Sequence, residues 1–236
     1  MKRLRMVLCL ASIALFAFAA TATAQTCQDI HGVGSNGCAP SPMDGAAASV
    51  TGVVYSVAGT FNSGSTYIQC SGGTGGMTFF ASGNTLAVGD EITLSGTVGA
   101  FGDEIQINSP TWVVNSTGNA VSPTPITTGD LFAGTDRLGD FMSVTGVMTI
   151  VSAGFNSVYS IDDGSGPCLL FVDGTTGIDT AFIDSQYLGN IVTVVGATKC
   201  FGGEGEILPR SDADFDLQTV AIDDASFGEV KADFQK

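Results

Sequence analysis

Apolar and polar positions alternate in short stretches along most of this chain. Thr66-Tyr67-Ile68-Gln69 and Ile92-Thr93-Leu94-Ser95 have the two-residue period of strands with one buried face. Glycine-rich pieces such as Gly72-Gly73-Thr74-Gly75-Gly76 and Asp163-Gly164-Ser165-Gly166-Pro167 interrupt them as hairpin turns. The pattern predicts strands over 49–57, 65–70, 77–81, 91–98 and 104–114, then over 141–151, 157–161, 168–172, 191–197 and 206–208, the last with room to extend. One helical pattern falls between them. Residues 180–188 put Phe182, Ile183 and Tyr187 on one side, whereas 82–89, at the corresponding place in the first half, suffices only for a turn.

The two sets of strands repeat one another. Ser49-Val50-Thr51-Gly52-Val53 recurs as Ser143-Val144-Thr145-Gly146-Val147. Val88 to Gly96 aligns with Leu188 to Gly196, and Phe101-Gly102 with Phe201-Gly202, in the same order. Each copy has five strands with its longest gap between the third and fourth, where an OB barrel carries its helix. The expected fold is therefore all-β, two tandem OB-fold-like five-stranded barrels over 46–115 and 140–217, the second with a short helix between strands three and four. Residues 116–139, with Ser122-Pro123-Thr124-Pro125, read as a linker and 25–45 as a lead-in segment. In the acidic tail, 218–236, Ser226 and Glu229 make a capping-box pattern ahead of Phe227, Val230 and Phe234 on one helical face.

Composition agrees. Gly occurs 32 times, while Lys, Glu and other strong helix formers are scarce. Residues 1–24 read as an export signal: Lys2, Arg3 and Arg5, an apolar stretch from Met6 to Ala20, then Ala22-Thr23-Ala24 before the cut. No later segment has the length and hydrophobicity of a membrane helix, so a secreted or periplasmic chain without membrane insertion is expected. The signal removes three of the 8 Lys and Arg and none of the 23 Asp and Glu, leaving five cations and a net charge of −18. Sequence-independent nucleic-acid binding needs cations that displace counterions, so this balance disfavours it.

Five cysteines remain after Cys9 leaves with the signal. In an exported chain these read as disulfides with one thiol left over. The start of strand three and the end of strand four in the second barrel suggest a Cys168–Cys200 staple. Cys27 and Cys38 close a short loop and make the second expected pair, with Cys70 left over or competing for either.

Among residues that could carry chemistry, His31 is the single histidine of the chain and sits in a lead-in loop, a poor setting for a triad or a His-based metal site. The alternation Asp212, Asp214, Asp216 is a weak candidate for calcium, because Leu217 and Asp223 stand where an EF-type loop needs Gly and Glu. No other cofactor is indicated. The Gly-rich runs lack the Lys and following helix of a phosphate loop. OB barrels bind extended ligands on strands two and three and the loops beside them. Ring-bearing candidates there are Tyr67, Phe79 or Phe80, Phe101 and Trp112 in the first copy, and Tyr159, Phe171 and Phe201 in the second.

Asp29-Ile30-His31-Gly32, Ser41-Pro42-Met43-Asp44-Gly45, Val50-Thr51-Gly52-Val53-Val54, Tyr67-Ile68-Gln69, Leu86-Ala87-Val88-Gly89-Asp90 and Leu94-Ser95-Gly96 carry a resemblance. Together with Pro123-Thr124-Pro125-Ile126 and Gly139-Asp140-Phe141, this pattern resembles the OB-like domains placed ahead of secreted endonuclease/exonuclease/phosphatase-type nucleases. It covers roughly residues 28–217, and Cys70 stands where that family usually has an acidic residue. The resemblance implies the fold and the secreted setting; no hydrolase domain follows, so it carries over no catalytic residue. The expected function is a non-catalytic binding or accessory module that docks an extended polymer, a glycan or single-stranded nucleic acid, or a partner hydrolase. The alternative is a structural or interaction protein of the envelope or extracellular matrix, possible calcium included; an enzyme ranks last.

Overall fold

The computed structural model describes residues 25–32, 38, 40–71, 75–132 and 138–218. The expected export signal, the Gly72-Gly73-Thr74 part of the first hairpin and the acidic tail beyond Gln218 lie outside these described residues.

A five-residue helix, α1 (Cys27–His31), opens the chain, capped by Thr26 and Asp29 in a reciprocal capping box. Five strands follow: β1 (Ala47–Ser56), β2 (Ser65–Cys70), β3 (Gly76–Phe80), β4 (Glu91–Phe101) and β5 (Glu104–Ser116). They close in the order β1-β2-β3-β5-β4, with β3 and β5 parallel and the other pairs antiparallel. That connectivity is the Greek-key arrangement of an OB barrel. Val50, Val54, Ile68, Met77, Phe79, Ile92, Leu94 and Ile107 fill its interior, and Cys27 and Ile30 of α1 join the same core. The helix that usually lies between strands three and four is missing from this copy, as the sequence suggests.

The segment expected as a linker carries two elements, β6 (Thr124–Pro125) and α2 (Thr128–Phe132). Then come β7 (Phe141–Ser152), β8 (Ser157–Asp162), β9 (Cys168–Val172), α3 (Thr180–Tyr187), β10 (Ile191–Phe201), β11 (Glu204–Leu208) and β12 (Phe215–Leu217). They form a seven-stranded sheet in the order β12-β10-β11-β9-β8-β7-β6, in which β10 also pairs with β7. The registers repeat those of the first barrel. Gly52 faces Ile92 as Gly146 faces Val192, and Thr78 faces Gln106 as Leu169 faces Glu206. α3 inserts Ile183 and Tyr187 into the second core, its start capped by the Asp179 carboxylate.

The repeated glycines have a steric reason. A Cβ on Gly52 would come within 2.6 Å of the Gln69 carbonyl oxygen, and one on Gly146 within 2.6 Å of the Asp162 backbone. At both positions the neighbouring strand passes too close for any side chain.

The halves pack directly on one another. Tyr55 is the extra residue of a bulge in β1, between the pairs Val54–Ile68 and Ser56–Tyr67. It points into a shared aromatic cluster with Phe61, Tyr67, Phe141, Ala197 and Leu208. Its ring stacks on Phe141 at 4.9 Å and its hydroxyl donates to the Gly139 carbonyl at 2.5 Å. The Gln69 amide donates to the Asp140 carboxylate, and its oxygen accepts from the Phe141 N–H at 2.7 Å. Arg210 completes the junction. It donates to the Tyr55 carbonyl at 2.9 Å, lies 4.3 Å from the Phe141 ring centre and pairs with Asp214 at 2.6 Å.

Neither expected disulfide forms. The bonds are Cys27–Cys70 and Cys38–Cys200, and Cys168 is a buried free thiol. Strand order explains the first miss: β11 runs between β9 and β10, so Cys168 and Cys200 stand two strands apart, roughly 10 Å. That exceeds the reach of a disulfide. The second miss follows from α1, whose docking against the barrel brings Cys27 to the end of β2, with 6.2 Å between the Cα atoms of Cys27 and Cys70. Cys38, left without Cys27, reaches across to the second sheet. Burial pushes the Cys168 thiol up to about 12, which keeps it protonated and unreactive.

Candidate functional site

A cleft of about 640 Å³ opens where the β2–β3 and β4–β5 side of the first barrel meets the second sheet. This volume is ample for a small ligand or a few units of a polymer. Its floor begins at the loop between β1 and β2. There the Asn62 side chain accepts from the N–H groups of Gly64 and Ser65, at 2.9 and 2.7 Å, and fixes the turn. The Phe80 ring lies on this loop: a Cβ on Gly64 would come within 2.7 Å of it. Phe80 remains 50% exposed. The β4–β5 hairpin forms the opposite lip. Gly102 turns it with a φ of 63°, and Phe101 beside it is 78% exposed.

Polar groups converge below these rings. The Tyr67 hydroxyl donates to Glu104 at 2.7 Å, while Tyr67 itself packs edge-on against Phe61. Gln106 donates to Asn108 at 2.7 Å. From the second sheet, Lys199 sits 4.7 Å from the Phe171 ring centre and 3.6 Å from Glu206. Burial raises the pKa of Glu104, opposed by the Tyr67 hydrogen bond and the Lys199 charge. Burial likewise raises that of Glu206, again with Lys199 opposing it. Burial and the neighbouring carboxylate push the Tyr67 hydroxyl well up, so it stays a donor.

The sequence candidates divide sharply. Tyr67 and Phe101 line the cleft, and Phe171 lies behind it under Lys199. Phe79 and Tyr159 are fully buried in the first and second cores, the latter with its hydroxyl on Asp184. Trp112 leans against Phe79 at 5.5 Å, half-buried on the outside of the first core. Phe201 ends β10 opposite Glu204, and its side chain lies outside the described residues. The period of β3 already separated Phe79 from Phe80: neighbours on a strand face opposite ways. Glu104, Gln106, Asn108 and Lys199 carried no local signal, because they meet only through the tertiary fold.

The three aspartates considered for calcium have separate partners. Asp212 accepts from the Asp179 N–H, Asp214 is held by Arg210, and Asp216 accepts from the Gln218 side chain. Among the described residues no three His, Cys, Asp or Glu side chains gather as a metal site. His31 donates from Nε2 to the Gly76 carbonyl at 2.9 Å, a packing role.

A broader hollow of about 860 Å³ lies on the outer face of β7 and β8, around Thr145, Val147, Ser160 and Ile191. It is shallow and open, and its polar lining groups include Thr145, Ser160, Asp162 and Asp163, with no aromatic ring among them. Among the described residues the Lys and Arg side chains are Lys199 and Arg210, both engaged at the junction. In the same residues, no helix is long and apolar enough to cross a membrane.

No known protein family matches the chain. No curated protein matches it either. Among solved structures it is similar to the S. pombe Stn1–Ten1 complex, at 20% identity and a TM-score of 0.30, over 40% of this chain and 70% of that one. At that TM-score the likeness fixes neither fold nor ligand.

Proposed function

We propose that the chain is a pair of tandem OB-type barrels acting as a non-catalytic binding module for an extended glycan, taken up in the cleft between them. One observation carries this reading. Beside the face where OB barrels hold oligosaccharides and oligonucleotides, Phe80 of β3 and Phe101 of the β4–β5 hairpin are exposed around a cleft that Gln106 and Asn108 of β5 also line. Aromatic rings stack on the apolar faces of sugar rings, and fixed amides accept and donate to hydroxyls. Nucleic acid fits less well: Lys199 and Arg210 are already paired with acids. The two disulfides are compatible with a secreted or periplasmic setting.

Calorimetric titration of linear glycan oligomers and of single-stranded oligonucleotides into the full chain tests this. Glycan binding weakened about 10-fold or more by Phe101→Ala is the expected result, equivalent to about 1.4 kcal/mol. Affinity unchanged in both Phe80→Ala and Phe101→Ala, or a preference for the oligonucleotide, would sink the reading.

A second reading, as an interaction protein of the envelope or matrix, rests on one different feature. Val147 and Ile191 face each other across β7 and β10, and both are exposed. Concentration-dependent self-association abolished by Ile191→Lys would favour it.

A further inference from the structure

Lys199 marks what kind of glycan the cleft suits. It is a cation lying on an aromatic ring and facing a carboxylate, Phe171 on one side and Glu206 on the other. Glu104 and Asp173 line the same space. Lys199 acts on both Glu206 and Glu104, and it is the one cation among the lining residues against these carboxylates and Asp173, so the cleft keeps an acidic excess. Phe61, Phe80 and Phe101 supply ring faces around them. A carboxylate beside aromatic faces is the environment that favours an ammonium group over a neutral or anionic one. The whole chain, at a formal charge of −15, adds long-range attraction for a polycation.

We infer that the cleft selects a polymer of amino sugars with free primary amines, stacking its pyranose rings on Phe80 and Phe101 and placing an ammonium between Glu104 and Asp173. The inference rests on the glycan-binding reading and narrows it. Exposed rings beside the Gln106 and Asn108 amides favour a sugar chain over a basic peptide, whose side chains would need the carboxylates but not the platform.

The test titrates β-linked hexosamine oligomers of equal length, fully N-acetylated or fully deacetylated, into the full chain. The deacetylated oligomer is expected to bind at least 10-fold more tightly at low salt, with the advantage shrinking as ionic strength rises. Glu104→Gln should erase that advantage, the deacetylated oligomer losing at least 10-fold in affinity relative to the unaltered chain. Circular dichroism checks that this variant folds; Asp173→Asn, at a half-buried lining position, makes the same comparison, with a smaller loss, if it does not. Equal affinity for the two oligomers overturns the amine preference while leaving glycan binding intact. Binding of neither oligomer overturns both. Binding of oligolysine as tightly as the deacetylated sugar, indifferent to Phe101→Ala, also overturns the inference.

Discussion

The two halves share most of their ladder registers and differ in how each is fastened. In the first, α1 is stapled to the end of β2 by Cys27–Cys70. In the second, α2 meets the equivalent corner through hydrogen bonds: Thr128 donates to Asp163 at 2.7 Å, and the Gly129 N–H donates to Ser165 at 2.9 Å. Cys70 faces Gly52, and Asp163 stands at the matching place beside Gly146. One corner thus exists in a covalent and a polar version. The strand pairing tolerates either, because the lock lies at the ladder's end and not within it.

Breaking the covalent version should have the largest effect. Cys27→Ser opens a loop with a sequence separation of 43, which on the chain-entropy account costs about 4 kcal/mol. Denaturant titration should show that loss, followed by the fluorescence of Trp112, the chain's one tryptophan, which sits on the first core. Arg210→Ala comes next. It leaves the buried Asp214 without its partner and removes the tie to Tyr55, at a cost of about 3 kcal/mol. Because that tie joins the halves, Trp112 fluorescence and far-ultraviolet circular dichroism should stop coinciding during thermal unfolding.

Thr128→Val, in the polar lock, should cost only about 1 kcal/mol, the scale of a hydrogen bond. A loss as large as that of Cys27→Ser would overturn this ranking of the two locks. The smallest effect is that of pH. Hydrogen bonds from Ser165 and Thr128 hold the Asp163 carboxyl well below its ordinary 3.8, so its contribution is complete above that value and is lost in strong acid. The disulfide has no such dependence. Glu104 and Glu206, raised by burial, act oppositely: stability falls as pH climbs from 4.5 through their raised values. Melting temperature should therefore peak in mild acid. Glu206→Gln should flatten the decline above the peak, and acid should loosen the second half before Trp112 responds.

Much of this fold was legible beforehand. Alternation and repeated glycines located β1 to β5 and β7 to β11 to within a few residues, because a strand's period and a forbidden Cβ are local properties. The helix over 180–188 is α3, one residue shorter. The last strand was harder. Residues 204–208 and 215–217 together do what β5 does alone, with Phe215 facing Val194 as Trp112 faces Leu94. The break between them hid the second piece. The cysteine partners were not legible, because they depend on where α1 docks and on which strand lies between two others. The cleft was half legible: Tyr67 and Phe101 follow from OB geometry, whereas Lys199 reaches it only because Tyr55, Gln69 and Arg210 join the halves.

The bulge at Tyr55 has a further consequence for assembly. In β7 the bulge falls later, at Val151 between the pairs Ile150–Tyr159 and Ser152–Val158, and the residue matching Tyr55 is the exposed Thr149. Likewise the first barrel crosses from β5's Asn108 to Trp112 through residues 109–111, while the second uses 209–214 and gains Arg210. Knob and socket therefore occur once each, on opposite partners. At the position in β7 that corresponds to Tyr55, Thr149 has no ring to stack as Tyr55 does on Phe141. The junction between the halves is thus not self-repeating: duplication copied the strands but not the contact that joins them.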